Sequence, residues 1–230
     1  MSLSPSGEPR EPLPGTVKLY ERHIFVCTGR VGWPGHIEED GGFVQALSEA
    51  IAGAGDRIAR TVKVTACDEP PVRGEGYDLL VFPDAVRYVA VRDPDIPAFV
   101  EDHLVSDRPS DRLEHTELRG KHVFVCIHAN RDVRCGRCGP PVARRFRDLL
   151  QERGLEDEVT VRRTSHVGQH SLAANVLVYP GGDWYGYVTP DDVPRIVDEH
   201  LQSGEIVGDL WRGRMGTTPE EQRALASQWG

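Results

Sequence analysis

Two cysteines and two histidines carry the most reactive side chains of this 230-residue sequence. Cys126 and Cys135 lie nine positions apart, and His166 and His170 follow them four positions apart. Thiolate sulfur and imidazole nitrogen are soft ligands that suit zinc or an iron–sulfur cluster. The four side chains therefore predict a metal centre built from two cysteines and two histidines.

A strand–helix–strand unit is predicted to bring these side chains together. Residues 123–127 are apolar and β-branched, and residues 159–164 predict a second strand that ends just before His166. Between them lies a helix with one apolar face, for which Gly154 supplies the stop. The loops after two parallel strands meet at one sheet edge, so Cys126 and His166 are expected to lie close together.

The same order of features occurs twice along the chain, which indicates an internal repeat. Residues 23–27 match residues 122–126 at an offset of 99, and the same offset places Cys67 on His166. Further on, a two-residue slip aligns residues 80–83 with residues 177–180. We therefore predict an α/β fold, a tandem duplication of a thioredoxin-like β-α-β-β-β-α unit with a right-handed first crossover.

Composition divides the chain further. The N-terminal segment is rich in Pro, Gly, Ser and charge, and a polar stretch separates the two copies. The C-terminal segment is expected to form an arm that covers part of the core. The predicted boundaries are a flexible lead (1–16), a degenerate repeat (17–105), a linker (106–120), a repeat with the metal centre (121–203) and the arm (204–230).

The first copy keeps only part of the ligand set. Three of its residues could bind a metal, but the fourth position holds a proline, so we interpret it as a decayed site whose role is structural packing. In the alignment, Cys27 matches Cys126, His36 matches Cys135, Cys67 matches His166, and Pro71 replaces His170.

Charge and cysteine content limit the classes of function. A net charge of −9 argues against a nucleic-acid binder, because phosphate neutralisation needs clustered Lys and Arg. No apolar stretch approaches the roughly 18 residues of a membrane span, and no secretory signal is visible. Five unevenly spaced cysteines favour ligands or redox thiols over a disulfide framework. We expect a cytoplasmic protein.

The ligand pattern resembles the sucrase/ferredoxin-like family, a branch of the thioredoxin-like 2Fe-2S ferredoxins. The resemblance rests on the two ligand spacings, on residues 175–187 and on the tail motif at residues 210–214. It covers most of residues 20–216. It implies a 2Fe-2S cluster and electron transfer with a redox partner protein. The implied ligands are Cys126, Cys135, His166 and His170.

Three alternatives remain open. Cys135 and Cys138 form a C-x-x-C motif at a predicted helix start, which is typical of a thiol-disulfide oxidoreductase. A zinc-stabilised interaction module would use the same two cysteines and two histidines. Cys138 could also replace Cys135 as a ligand. We favour the electron carrier over a substrate-converting enzyme, because disulfide exchange leaves His166 and His170 without a role.

Overall fold

The structure is a computed structural model that describes residues 10–39 and 41–229, and a single sheet dominates it. Most of the predicted flexible lead, residues 1–9, lies outside the described residues. Ten strands of the described chain form the sheet in the order β10-β9-β8-β6-β7-β2-β1-β3-β4-β5. Their bounds are β1 Arg22–Cys27, β2 Val62–Cys67, β3 Tyr77–Phe82, β4 Val86–Val91, β5 His115–Glu117, β6 Lys121–Cys126, β7 Val159–Thr164, β8 Val176–Tyr179, β9 Asp183–Tyr185 and β10 Trp211–Arg214.

Helices connect the strands and pack on the sheet. The longest connects β6 to β7, and two short helices continue as π-helical segments, at Val100–Val105 and Ile196–Gln202. No helix in the part of the chain that the structure describes is long and apolar enough to cross a membrane. The α-helices are α1 Phe43–Ala54, α2 Ile96–Phe99, α3 Val133–Arg153, α4 Val193–Arg195 and α5 Pro219–Ala226.

The two halves of the sheet have the same strand arrangement. In the first, β1 pairs in parallel with β2 and antiparallel with β3, which pairs with β4. In the second, β6 pairs in parallel with β7 and antiparallel with β8, which pairs with β9. Each half thus has the predicted element order β-α-β-β-β-α, and the fold is mixed α/β as predicted. Its origin by tandem duplication stays a prediction.

Strand register corrects one detail of the repeat alignment. Cys27 pairs with Cys67 across β1 and β2, whereas Cys126 pairs with Thr164 across β6 and β7. Cys67 also pairs directly with Thr164 where β2 meets β7. Cys67 therefore occupies the position of Thr164, and its match to His166 was wrong. The two-residue slip comes before β2, in the connection from the first helix.

Aromatic side chains hold the two halves together. The rings of Phe25 and Phe124 stack with centroids 3.6 Å apart. Their strands, β1 and β6, are separated by β2 and β7, which in a flat sheet would put them roughly 14 Å apart. The sheet therefore curls so that its halves face each other. Tyr179 joins the contact, since its hydroxyl lies 2.6 Å from Nδ1 of His23 and 2.9 Å from the Tyr20 hydroxyl.

Two helical histidines serve packing. Nδ1 of His103 lies 2.6 Å from the Tyr88 hydroxyl, and Nδ1 of His200 lies 2.7 Å from the Tyr185 hydroxyl. Each tyrosine belongs to the fourth strand of its half, and each histidine to the closing helix. The same hydrogen bond thus joins equivalent elements in both halves.

Segments outside the two predicted repeats also contact the sheet. Leu13, from the predicted lead, is buried against Leu172 and Tyr187 of the second half. In the predicted linker, β5 pairs antiparallel with β4 and forms one sheet edge. In the predicted arm, β10 pairs antiparallel with β9 and forms the other. The domain boundaries remain predictions, and these contacts show where the boundary segments lie.

Candidate metal centre

Cys126 is fixed at the end of a central strand. Its strand, β6, has neighbours on both sides, and the Cys126 N–H donates to the Asn175 carbonyl at 3.0 Å. The Cys126 side chain is fully buried. A run of alternating Val and Phe suits this doubly covered strand, because both of its faces pack against other side chains.

Helix α3 brings Cys135 against Cys126. The helix begins at Val133, and the side chain of Asp132 caps it by accepting from the Arg134 N–H at 2.9 Å. Cys135 thus lies in the first turn, fully buried, rather than before the helix. At the other end Gly154 terminates the helix in the left-handed conformation, with φ 66°, as predicted.

A glycine sets how closely this helix approaches the strand. A Cβ atom added to Gly139 would lie 2.1 Å from the Cys126 carbonyl oxygen and 3.0 Å from Cγ2 of Ile127. No rearrangement of a flexible side chain could relieve contact with that backbone oxygen. Gly139 therefore permits the short helix–strand distance that places Cys135 beside Cys126.

We expect Gly139→Ala to destabilise the protein by about 1–3 kcal/mol through overpacking and to separate the two cysteines. The matched control is Gly53→Ala in α1, where an added Cβ meets nothing within 4 Å. Because alanine favours helix, that variant should gain about 0.5–1 kcal/mol. Urea unfolding measures both free energies. Equal stability of the two variants would contradict the packing role of Gly139.

The loop after β7 carries the two histidines, and backbone bonds to the first half hold its start. The Ser165 N–H donates to the Ala66 carbonyl at 2.8 Å, and the Ala66 N–H donates to the Ser165 hydroxyl at 2.9 Å. The His166 N–H donates to Nδ1 of His128 at 3.0 Å. The ring centroids of His166 and His170 are 5.5 Å apart. Both halves of the chain therefore position this loop.

Three of the four predicted ligands converge. The donor atoms of Cys126, Cys135 and His166 all lie within 4.8 Å of one another. His170 stands next to this group without joining it at that limit, and among the described residues Cys138 is not a member either. The structure thus brings together the cysteine pair that the sequence favoured, with His166, and places His170 at the rim.

The donor set fits a metal or cluster. Nδ1 of His166 and Nδ1 of His170 are buried and have no hydrogen-bond partner among the described residues. Buried polar atoms are nearly always paired, so both nitrogens are available to a ligand. Nε2 of His170 lies 3.5 Å from a carboxylate oxygen of Asp132. A carboxylate at the far nitrogen is typical of a histidine that binds metal through its other nitrogen.

The pKa values of the two thiols shift in opposite directions. A hydrogen bond from Cys135 outweighs burial and holds the pKa of Cys126 well below its usual range, with help from His166. The same bond, together with burial, raises the pKa of Cys135. A buried pair of this kind ionises once, because the first thiolate opposes the second. A cation between the sulfur atoms would allow both to bind as thiolates.

Arg212 of the C-terminal tail forms a hydrogen bond with the loop that carries the two histidines. It is 1% exposed and donates to the Asn175 side chain, the Gln169 side chain and the Thr16 carbonyl at 2.6, 2.6 and 3.1 Å. Burial lowers the pKa of Arg212 to about 9. Gln169 precedes His170, and the Asn175 carbonyl accepts from Cys126. Arg212 therefore links the histidine loop to the strand that carries Cys126.

His128 was not predicted from the sequence, whereas Arg212 belongs to the tail motif at residues 210–214. His128 follows Cys126 by two positions, is 2% exposed and bridges the His166 N–H to the Trp33 carbonyl. Its place directly after the strand was the available signal. The sequence signal for Arg212 was weaker, because an arginine in a tail segment is ordinarily solvent-exposed.

The candidate ligands of the first half are not brought together. The Sγ atoms of Cys27 and Cys67 lie 3.7 Å apart and are fully buried. His36 lies apart from them at the surface, where it contacts Glu38 and Arg131. Of Cys27, His36 and Cys67, therefore, only the two cysteines lie together in the described structure.

A mixed α/β sheet that presents paired cysteines and histidines at one edge is what the ferredoxin-like class would require. The chain belongs to the sucrase/ferredoxin-like family, whose sequence profile matches residues 13–213.

Individual relatives fall into two groups. The chain is 34% identical over 154 residues to Altered inheritance of mitochondria protein 32 of Meyerozyma guilliermondii, covering 64% of this chain and 54% of that protein. It is 37% identical over 94 residues to Ferredoxin, 2Fe-2S of Clostridium pasteurianum, covering 39% of this chain and 92% of that protein. This chain spans about half the length of several yeast proteins it matches.

A solved structure also resembles part of the chain. A thioredoxin-like 2Fe-2S ferredoxin from Aquifex aeolicus is 31% identical, with a TM-score of 0.38, and the match covers 44% of this chain and 96% of that one.

Proposed function

We propose that this chain is an electron-transfer protein that holds a 2Fe-2S cluster through Cys126, Cys135, His166 and His170. One observation carries the proposal: two buried thiols converge with an imidazole whose Nδ1 has no partner in the described structure. The ferredoxin of Clostridium pasteurianum, by its printed name a 2Fe-2S protein, supports the choice of cluster. A bound cluster would supply one-electron chemistry.

The ligand types set the charge of the site. Two thiolates bring two negative charges to the cluster, whereas four cysteines bring four. Adding an electron is therefore easier here than in a four-cysteine site. Replacement of two cysteines by two histidines on one iron accompanies potentials of about −150 to +300 mV, against about −400 mV for plant-type ferredoxins. We infer that the cysteine pair holds one iron and the histidine pair the other, which gives a comparatively high potential.

Asp132 and Arg212 place charged groups next to the two histidines. The Asp132 carboxylate lies 3.5 Å from Nε2 of His170 and favours a proton on that nitrogen, which leaves Nδ1 as the nitrogen that can bind a metal. The Arg134 hydrogen bond lowers the pKa of Asp132, which keeps this carboxylate ionised. The positive charge of Arg212 lies next to the histidine loop. It therefore favours the extra negative charge that a reduced cluster would carry.

Burial disfavours the dithiol alternative. Cys135 is fully buried and Cys138 is 9% exposed, whereas disulfide exchange needs an accessible thiolate. Burial also raises the pKa of Cys138. Neither sulfur is therefore presented to a protein substrate.

The partner and the compartment belong to the proposal as well. An electron carrier needs a donor and an acceptor, and we propose that these are redox proteins. We place the chain in the cytoplasm on the basis of its cysteine usage. The yeast relatives are named for mitochondrial inheritance, so fractionation of cells is the measurement that decides the compartment.

We expect anaerobically purified protein to be brown and to contain two irons and two inorganic sulfides per chain. Metal analysis, sulfide assay and a visible spectrum measure this. Cys67→Ser is the matched control and should keep the full iron content, because Cys67 lies in the first half and outside the ligand group. Colourless protein with one zinc, or with no metal, would overturn the proposal.

A further inference from the structure

A pocket of about 460 Å³ opens beside His166, between the histidine loop and strand β2. Its walls include the rings of Tyr20 and Trp184, which a hydrogen bond from the indole N–H to the tyrosine hydroxyl holds together at 2.7 Å. Gly168 of the loop also lines it. The pocket therefore combines an aromatic wall with one edge of the candidate metal centre.

Positive charge converges on this pocket. Lys18, Lys63 and Arg212 line it, and no aspartate or glutamate is among its lining residues in the described structure. The protein as a whole carries a net charge of −9 and has only three lysines, of which two are here. Like charges drawn together in an acidic protein raise the free energy of the empty pocket and attract anions.

Lys63 is a pocket cation whose N–H donors remain available. Its Nζ lies 5.8 Å from the ring centroids of Tyr20 and Trp184. The Lys63 ammonium makes no hydrogen bond or ion pair with any residue that the structure describes. Burial, with the nearby charge of Arg212, lowers the pKa of Lys63 to about 8. The N–H groups of Arg212, in contrast, already donate hydrogen bonds to Thr16, Gln169 and Asn175.

We propose that this pocket binds a small organic anion, with its carboxylate or phosphate on Lys63 and its apolar body against Tyr20 and Trp184. The volume suits a ring-sized molecule, and concave apolar walls with a few charged groups are typical of small-molecule sites. The anion would contact His166. The inference goes beyond electron transfer by assigning a ligand site between the two halves, beside the proposed cluster ligand His166.

The test titrates the purified 230-residue protein with benzoate, phenyl phosphate and neutral benzamide in a calorimeter. We expect at least one anion to bind at one site per chain, and benzamide to bind at least tenfold more weakly. Preference for benzoate or for phenyl phosphate tells a carboxylate ligand from a phosphate ligand. Equal binding of benzamide, or no binding of either anion, would overturn the proposal.

Variants locate the site. Lys63→Gln should weaken anion binding about tenfold or more, because it removes a charged hydrogen-bond donor. Lys121→Gln is the matched control, since Lys121 is the third lysine and contacts the Leu201 carbonyl instead. Lys18→Gln, at an exposed position, should also weaken binding and serves if Lys63→Gln does not fold. Equal effects of Lys63→Gln and Lys121→Gln would refute the assignment.

Two further measurements separate the remaining outcomes. Binding of poly-glutamate with no binding of either small anion would assign the pocket to an acidic protein partner and overturn the proposal. Iron is assayed on the same preparation. Anion binding without iron would retain this site and remove the proposed electron transfer, and iron without anion binding would do the reverse.

Discussion

Cys135→Ser protein will lose most of its cluster iron, whereas Cys138→Ser protein will keep it. The sulfur of Cys135 lies within 4.8 Å of the donor atoms of Cys126 and His166. Cys138 lies three residues along the same helix and outside that group. A serine hydroxyl is a poor substitute for a thiolate on iron, so the first variant lacks a ligand. The second loses only a small packed side chain.

Iron and sulfide per chain, with the visible spectrum, measure this difference. Disulfide-reductase activity is assayed on the same variants, because a dithiol mechanism would make both substitutions equally harmful to turnover. Equal loss of iron in both would contradict the choice of Cys135 over Cys138. Full retention in both would remove helix α3 from the site.

Replacement of both His166 and His170 by cysteine should keep a cluster and lower its midpoint potential. Two added thiolates bring negative charge, which disfavours reduction. The expected fall is roughly 250 mV or more, the separation between Rieske centres and plant-type ferredoxins. The motivation is the unpartnered Nδ1 atom of each histidine.

Potentiometric titration followed by visible absorption gives the midpoint. His36→Cys is the control, because His36 lies at the surface beside Glu38 and should leave the potential unchanged. An unchanged potential in the double variant would show that the two histidines do not bind iron. Loss of all iron from it would instead show that the loop cannot present two thiolates.

Local chemistry made much of the site predictable. The apolar run before Cys126 predicted the strand, and Gly154 predicted the helix end, because each depends on residues adjacent in sequence. His166 fell near Cys126 because parallel strands end at a common edge. Such inferences need only the pattern of side chains along a single element.

Contacts between residues far apart along the chain could not be predicted from the sequence. The connection before β2 is two residues longer than the connection before β7, so offset counting from identical residues misplaced Cys67. The burial of Arg212 follows from the return of the tail along β9, which no local propensity specifies. The bond from His166 to His128 likewise joins two loops.

Strands β2 and β7 meet in antiparallel contact, at the pair Cys67 and Thr164. Each of these strands would otherwise be an open edge, ready to pair with a strand of another molecule. The stacked faces of Phe25 and Phe124 would be exposed with them. The first half thus covers the end of β7 and the start of the histidine loop, and there takes the place that a strand of another molecule could occupy.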